Sequence, residues 1–446
     1  MAEVRVREIA LEIVMAVLEK GEMGHLIMRQ ALEKYGYLEK QERSFLTRLS
    51  NGTISRAIEL DDLINHFSKV TTEKMKPVVR NILRLTAYQL KYMDSVPDSA
   101  ACNEAVKLAQ RKGFHNLKGF INGVSRSMAR GIPELPESDA LSVRYALPEW
   151  LVEMWCDMYG EEMVRQSGDG FWAQETDGAT TVRCNQSLAK IEDICASLQK
   201  QGVKVQQDAN VPQALYLRQY DRLEHLEAFQ KGWIQVQDIS SMLVGEAAAP
   251  EGEMVCLDVC AAPGGKSMDL ADRLAGQGKV YSCDISFEKT ALIEENCMRC
   301  GFTNMEVQVQ DALELREDWI GMADIVIADL PCSGLGIIGG KPDIKYKASL
   351  EKCTELAILQ RQMLSVIWQY VKPGGILIYS TCTINRQENE DNANFIASQL
   401  PFERVSLQDT KGVPSVAVTP EGYVQLLPGR DGMAGFFLSK FRRQTE

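Results

Sequence analysis

The stretch Leu257-Asp258-Val259-Cys260-Ala261-Ala262-Pro263-Gly264-Gly265-Lys266 restricts the fold more than any other part of the chain. An apolar run from Met254 to Val259 predicts a buried strand, and it stops in a loop of small residues. From Ser267 onward, Met268, Leu270, Ala271 and Leu274 recur at helical spacing. Between the two, Gly264 and Gly265 let main chain approach a ligand closely, and the following helix start offers free N–H groups to an anion. Strand, glycine loop and helix in that order predict an α/β domain that holds a nucleotide-like molecule.

The spelling of the loop narrows the choice. A P-loop needs a glycine five residues ahead of the Gly-Lys pair, where Cys260 stands, and the dinucleotide fingerprint G-x-G-x-x-G is absent. Triphosphates and NAD are therefore disfavoured. A second predicted strand, Lys279 to Ile285, carries Asp284 twenty residues after Gly264, where an acid in such folds takes a ribose diol. A third, Glu306 to Gln310, ends at Asp311. One glycine loop and two strand-end acids suit an adenosine without phosphates, a description that S-adenosylmethionine fits. The competing reading is that Asp284 and Asp311 only cap loops.

With 446 residues and 45% hydrophobic content, the chain is expected to hold two to four domains with real cores. No run of eighteen uncharged apolar residues occurs, and Met1-Ala2-Glu3-Val4-Arg5-Val6-Arg7-Glu8 lacks the apolar region of a secretory signal. A soluble cytoplasmic protein with no membrane partner is the expectation. Twelve cysteines without framework spacing imply a reducing compartment. Cys297-x-x-Cys300 falls in a helical pattern without a second pair, so no metal is expected there. The net charge of −12 is unevenly spread, about +6 over residues 1–130 and −18 over the rest. Such asymmetry fits a basic RNA-docking module on an acidic catalytic body, and equally a solvated helical surface.

From Val6, the residues Ile9, Ala10, Ile13, Val14, Val17 and Leu18 form a helical stripe, and similar stripes at Val78 to Leu90 and Ala105 to Ala109 predict a helical bundle. Its basic residues concentrate late, at Lys107, Arg111, Lys112, Lys118, Arg126 and Arg130. The two prolines of Gly131-Ile132-Pro133-Glu134-Leu135-Pro136-Glu137-Ser138 mark a linker. A small α+β segment follows, with helices at Glu149 to Met158 and Leu188 to Gln199 and strands at Thr180 to Cys184 and Gly232 to Val236. Trp150, Trp155 and Trp172 are expected in a core more than on a base-stacking platform. After a helix at Val244 to Ala249, a fourth strand, Ala323 to Ala328, runs into Asp329-Leu330-Pro331-Cys332-Ser333-Gly334. A fifth, Gly375 to Tyr379, runs into Ser380-Thr381-Cys382-Thr383. The fold class is multidomain: an all-α bundle (1–135), a small α+β connector (145–238) and an α/β Rossmann-like domain (239–446). In a doubly wound sheet, ligands sit beyond the carboxyl ends of the strands, so Asp329, Cys332 and Cys382 are expected to converge there.

All four histidines precede the glycine loop, which leaves cysteine and carboxylate for chemistry. A thiolate that adds to carbon 6 of a cytosine makes carbon 5 electron-rich enough to attack a sulfonium methyl. Asp329 is placed to hold or supply the proton at cytosine N3. A base must then take the carbon-5 proton, and Cys332 or a water it orders is a candidate. The alternative is that both cysteines are small apolar residues closing strand ends. Since both sit at strand ends, the residues themselves leave open which thiol attacks.

Two resemblances bear on this. Ile82-Leu83-Arg84-Leu85-Thr86-Ala87-Tyr88-Gln89-Leu90, Val96-Pro97, Asn103-Glu104-Ala105-Val106 and Gly119-Phe120-Ile121-Asn122-Gly123-Val124 resemble the NusB family of RNA-binding helical domains. Asp258 to Asn392 resembles the RNA 5-methylcytosine methyltransferases, whose cofactor loop matches Cys260-Ala261-Ala262-Pro263-Gly264-Gly265-Lys266 and whose Pro-Cys and Thr-Cys motifs match Cys332 and Cys382. Gln237-Asp238-Ile239-Ser240-Ser241, Pro342-Asp343-Ile344-Lys345 and Gly435-Phe436-Phe437 extend the match. Taken whole, the chain resembles the RsmB (Sun, Fmu) family, which methylates cytosine in 16S ribosomal RNA.

The resemblance implies a class I methyltransferase domain and a monomer that uses S-adenosylmethionine on 16S ribosomal RNA. It also implies Cys382 as nucleophile, Cys332 as the aid to product release, and Asp329 in catalysis. Cofactor binding is assigned to Cys260, Ala261, Ala262, Pro263, Gly264, Gly265, Lys266, Asp284, Asp311 and Asp329. DNA cytosine methyltransferases attack instead with the Pro-Cys residue. A base in a duplex must be flipped out, so a loop or open helix is the expected target. Leu330 in place of a usual alanine and Gly339-Gly340-Lys341 in place of a more arginine-rich stretch depart from the family pattern. Two other classes compete: an RNA-binding antitermination factor, which needs only the front domain, and an NAD-dependent oxidoreductase, which needs the missing glycine fingerprint.

Overall fold

The computed structural model describes residues 6–445, apart from the side chains of 174–177. The first five residues of the Met1 to Glu8 segment thus lie outside the described residues. Contacts divide the chain into two compact units, Met1–Trp172 with Ile338–Ala348, and Ala173–Ile337 with Ser349–Glu446.

The first unit opens with the helices α1 (Val6–Lys20), α2 (Gly24–Lys34), α3 (Lys40–Ser55), α4 (Ala57–Phe67), α5 (Pro77–Tyr92), α6 (Asp98–Arg111) and α7 (Lys118–Gly131), and Glu149–Tyr159 follows them. Helix α1 turns its apolar stripe inward, burying Ile9, Ala10, Ile13, Val14 and Val17. Helix α3 starts on a reciprocal cap between Glu39 and Glu42, and α5 starts on Pro77, whose missing N–H costs nothing at a first turn. Trp155 is fully buried, with its ring stacked 6.1 Å from that of Phe171, and Trp172 lies 3.7 Å beneath the Arg56 guanidinium. Trp155 is thus a core position, whereas Trp150 and Trp172 are only partly buried. Lys107, Arg111, Lys118, Arg126 and Arg130 are exposed, whereas Lys112 is half-buried and paired with Glu8 and Glu12.

The distant segment Ile338–Ala348 is built into this unit. Lys345 Nζ donates to the Ser55 carbonyl at 2.6 Å, the Tyr346 hydroxyl donates to the Ile54 carbonyl at 2.7 Å, and Asp343 accepts from the Gly24 N–H at 3.2 Å. The departing stretch Gly339-Gly340-Lys341 belongs to it.

The second unit opens with a four-stranded antiparallel sheet of order β2-β3-β1-β4, formed by β1 (Thr180–Cys184), β2 (Lys204–Gln207), β3 (Ala214–Arg218) and β4 (Ile234–Val236). The sequence reading anticipated β1 and β4. It passed over β2 and β3, and also the long helix Glu161–Asp177. Arg183 of β1 is wholly buried and faces Asp272 at 3.4 Å and Asp269 at 3.7 Å, both on the helix that follows the glycine loop.

The large sheet contains β5 (Val255–Asp258), β6 (Lys279–Asp284), β7 (Met305–Val309), β8 (Ala323–Asp329), β9 (Val371–Thr381), β10 (Phe402–Val405), β11 (Val424–Leu426) and β12 (Phe436–Arg443). Its order is β10-β12-β9-β8-β5-β6-β7, with β11 paired to β12. Strands β5 to β9 pair in parallel, and β12 runs antiparallel to β9. Strand order reverses at β5, which lies between β6 and β8, and a crevice forms beyond the carboxyl ends at such a point. The register of β8 on β9 sets Asp329 opposite Ser380. Cys332 and Cys382 therefore leave neighbouring parallel strands at the same end. Among the described residues no helix is long and apolar enough to cross a membrane.

Candidate active site

The glycine loop hangs between two strands. Ala261 N–H donates to the Cys283 carbonyl at 2.8 Å, and Ala262 N–H donates to Asp284 Oδ2 at 3.0 Å. Gly264 has φ of 101°, and a Cβ there would lie 3.1 Å from Ile293 Cγ2, so the position admits glycine and little else. Helix Gly265–Arg273 starts immediately after. Burial, then the nearby Asp284 and Asp258, push the Cys260 thiol far up and keep it neutral. Cys260 forms a wall of the loop.

Asp258 ends β5 under this loop and is 1% exposed. Its Oδ2 accepts from the Ser267 hydroxyl at 2.7 Å, while Oδ1 has no partner. Burial pushes the Asp258 carboxyl up to about 7. Sequence reasoning quoted this residue only as part of a motif; an acid closing an apolar strand just before a glycine loop was the available signal.

Asp284 sits at the end of β6 and is nearly buried. It accepts from Ala262 N–H, from Ile285 N–H at 2.8 Å and from Lys289 Nζ at 2.9 Å. A carboxylate has about four acceptor positions, so one remains unless the half-exposed Lys289 swings away. Asp311 lies one strand further out and caps its own loop through the Leu313 N–H at 2.9 Å, while Gln310 N–H reaches the Asp284 carbonyl at 3.0 Å.

Lys266 and Asp329 form the charged centre. Lys266 Nζ donates to Asp329 Oδ2 at 2.6 Å, and the Ser380 hydroxyl donates to Asp329 Oδ1 at 2.9 Å. Burial would lower the Lys266 pKa, but Asp329, Asp258 and Cys382 together raise it above its ordinary value. The ammonium is thus fixed as a cation beside the Cys382 sulfur. Its Nζ also lies 5.6 Å from the centre of the Phe436 ring, which brings the Gly435-Phe436-Phe437 stretch to the site.

Cys332 Sγ and Cys382 Sγ are 3.4 Å apart. The hydrogen bond to Cys382, then burial, then the negative charge of Cys382, Glu388 and Asp329 push the Cys332 thiol well up. Gly336 N–H donates to the Cys382 carbonyl at 3.0 Å, and Gly435 N–H donates to the Gly336 carbonyl at 2.8 Å. A Cβ at Gly336 would overlap the Gly435 carbonyl, which is why the three strand-end loops can close on one another.

Below the thiols lies a polar network that the sequence reading did not identify. Glu388, with no exposed surface, accepts from the Ser333 N–H at 2.8 Å, the Ser333 hydroxyl at 2.5 Å, Asn385 Nδ2 at 3.0 Å and Gln360 Nε2 at 3.1 Å. Gln360 Nε2 also donates to the Pro331 carbonyl at 2.8 Å.

The chain is 34% identical to the probable ribosomal RNA small subunit methyltransferase B of Bacillus subtilis, with 100% of both chains covered. The chain belongs to the ribosomal RNA small subunit methyltransferase B family. A relative of the same name in Synechocystis is 30% identical over 98% of this chain and 99% of its own. Three family models tile the sequence: NusB over residues 4–130, the RsmF/B-like ferredoxin-like domain over 147–223, and the 16S rRNA methyltransferase RsmB/F over 246–442. The fold also matches the crystal structure of PH0851, with a TM-score of 0.82 and 24% identity over 99% of both chains. The fold class, a helical NusB-like front, a small connector and a Rossmann-like methyltransferase domain, stands, while the contact division falls at Trp172 inside the expected connector and gives Ile338–Ala348 to the first unit.

Proposed function

We propose that this family member transfers a methyl group from S-adenosylmethionine to carbon 5 of a cytosine in 16S ribosomal RNA, through a covalent bond between Cys382 and carbon 6. The observation that carries the reading is the thiol pair: two sulfurs 3.4 Å apart at the ends of adjacent parallel strands, beside a Lys266–Asp329 ion pair. Methyl transfer to an oxygen or an exocyclic nitrogen has no use for two thiols in that position.

The residues around the loop suit the cofactor. Asp258 offers an unpartnered buried acceptor, Asp284 a last acceptor position, and Gly264 and Gly265 a loop of bare main chain. When bound, S-adenosylmethionine supplies an electrophilic sulfonium methyl. Cys382 adds to carbon 6 as a thiolate, favoured by the Lys266 ammonium, and the electron pair of the ring double bond moves toward carbon 5 and the N3 side. Asp329, with Lys266 on one oxygen and Ser380 on the other, is held in place to stabilise a proton or a positive donor at that side of the base.

Release requires that carbon 5 lose its proton while the bond between carbon 6 and sulfur breaks and the ring double bond re-forms. A water beside Cys332 takes the carbon-5 proton. Cys332 contributes the S–H hydrogen bond that stabilises the departing Cys382 thiolate. The exposed basic residues of α6 and α7 are assigned to the ribose-phosphate backbone of the RNA. Incubation of the protein with methyl-labelled S-adenosylmethionine and unmodified 16S RNA, followed by nucleoside mass spectrometry, is expected to yield 5-methylcytidine. Label on a ribose oxygen or on N4 would refute the reading.

A further inference from the structure

One carboxylate ties the two cysteine loops together. Glu388 lies six residues after Cys382, between β9 and helix Glu390–Gln399, yet three of its bonds go elsewhere. Two come from Ser333, the residue after Cys332, and one comes from Gln360 of helix Leu350–Ile367. Gln360 holds the Pro331 carbonyl with the same nitrogen. Pro331 and Ser333 flank Cys332, so the backbone on both sides of the thiol is gripped by one buried pair.

Further bonds close the arrangement. The Ser333 and Thr383 hydroxyls lie 2.6 Å apart, and Leu335 N–H donates to Thr383 Oγ1 at 3.3 Å. Gln360 Oε1 accepts from the Tyr379 hydroxyl at 3.1 Å and from Asn392 Nδ2 at 2.8 Å. Gln360, Thr383, Glu388 and Asn392 have no exposed surface. A buried carboxylate costs several kcal/mol of lost solvation, on the order that mutational work assigns to unpaired buried ions, unless its lone pairs are filled. Here four N–H or O–H donors fill them, and no lysine or arginine is bonded to it among the described residues. An apolar residue in its place would leave those four donors without an acceptor, the Ser333 N–H beside Cys332 among them.

We propose that Glu388 is a positioning residue, which fixes the Pro-Cys loop so that the Cys332 S–H points at the Cys382 sulfur and serves its departure. The inference rests on the thiol roles assigned above, and it concerns release more than attack. Glutamine is the informative substitution. Its side chain keeps the shape but has one acceptor oxygen and an NH2 group, so two of the four donors would face another donor. Ser333→Ala is a milder probe, because it removes the hydroxyl bond and keeps the N–H bond.

Two measurements on the full-length protein test the proposal. In a Cys382→Ala background without RNA, alkylation of Cys332 by iodoacetamide at fixed pH, followed by peptide mass spectrometry, is expected to speed up at least fivefold with Glu388→Gln. Ser333→Ala should give a smaller gain, with melting temperatures recorded for all. An unchanged rate in both would overturn the proposal. With native thiols, RNA and cofactor, Glu388→Gln is expected to accumulate the same denaturant-resistant protein–RNA adduct as Cys332→Ala. Its steady-state turnover should fall at least tenfold more than its first turnover; an equal fall in both phases means a structural role and overturns the proposal. If Cys332→Ala gives the adduct and Glu388→Gln does not, the proposal fails while the thiol roles stand. If neither gives it, the thiol roles fail, and the alkylation rates alone decide whether Glu388 holds Cys332.

Discussion

Two pairs of cysteines in this chain look opposite in sequence and in space. Cys297 and Cys300 share a motif-like spacing, while Cys332 and Cys382 are fifty residues apart. In the structure, Cys297 and Cys300 share the last turn of helix Phe287–Cys300; the first gives its thiol to the Phe302 carbonyl at 3.4 Å, and the second receives Asn185 Nδ2 at 3.5 Å. The distant pair meets at 3.4 Å, next to a lysine and two carboxylates. Thiols of both kinds are pushed up, but the first cause is burial for Cys297 and Cys300 and the neighbouring sulfur for Cys332. A parallel sheet brings together what its strand ends carry, whatever the sequence separation, and reactivity follows from the neighbours found there.

That contrast is sharpest in the size of substitution effects. Cys382→Ala should lower methyl transfer by on the order of 10³-fold or more, since it removes the thiol assigned to the bond with carbon 6. RNA binding measured by filter retention should stay within about threefold of wild type, as the loss is in chemistry.

Burial as a cause can be isolated at Asp258. Its folded-state pKa of about 7 lies above the ordinary value of 3.8, so its contribution is present at low pH and lost as pH rises toward 7. Without cofactor, the stability of wild type relative to Asp258→Asn should therefore decline from pH 4 to pH 7 and then level off. The total is about 4 kcal/mol at most, taking 1.36 kcal/mol per pH unit. Urea titrations at several pH values measure it, and a flat difference would contradict the burial argument.

A smaller effect belongs to the charged partner of the distant pair. Asp329→Asn leaves Lys266 without its ion pair and should reduce turnover by about 10²-fold, within the range of a single positioned polar group. S-adenosylmethionine affinity by calorimetry should change less than turnover. The smallest effect is expected at the helix pair. Cys297→Ala and Cys300→Ala should each cost about 1 kcal/mol of stability and leave turnover within twofold, as small buried residues do. Loss of activity in either would break the contrast between the two pairs.

Much of this was legible in the sequence, for identifiable reasons. The strand-to-loop break at Cys260, the helical stripe from Ile9 to Val17 and the two strand ends at Asp329 and Ser380 carry local patterns, and the structure has them within a few residues. Strands β2 and β3 were missed because Lys204–Gln207 has a single apolar residue, Val205, and Ala214–Arg218 has no strict alternation in sequence. Helix Glu161–Asp177 was missed for its two glycines, Gly168 and Gly170. The Glu388 network was unreadable because Gln387-Glu388-Asn389-Glu390-Asp391-Asn392 has the composition of a solvated turn, whereas Glu388, Asn389 and Asn392 are fully buried. Their partners at Ser333 and Gln360 come from separate elements, and no spacing announces them.

The division of labour between the two thiols can be read on one denaturing gel. Purified Cys332→Ala, Cys382→Ala and the double variant are incubated with 16S RNA and S-adenosylmethionine and then denatured. Cys332→Ala should still let Cys382 attack and deliver the methyl group, then stall before release, giving a slower-migrating protein–RNA band. Cys382→Ala and the double variant should give none. A band that persists without Cys382 would contradict the assignment and make Cys332 the nucleophile.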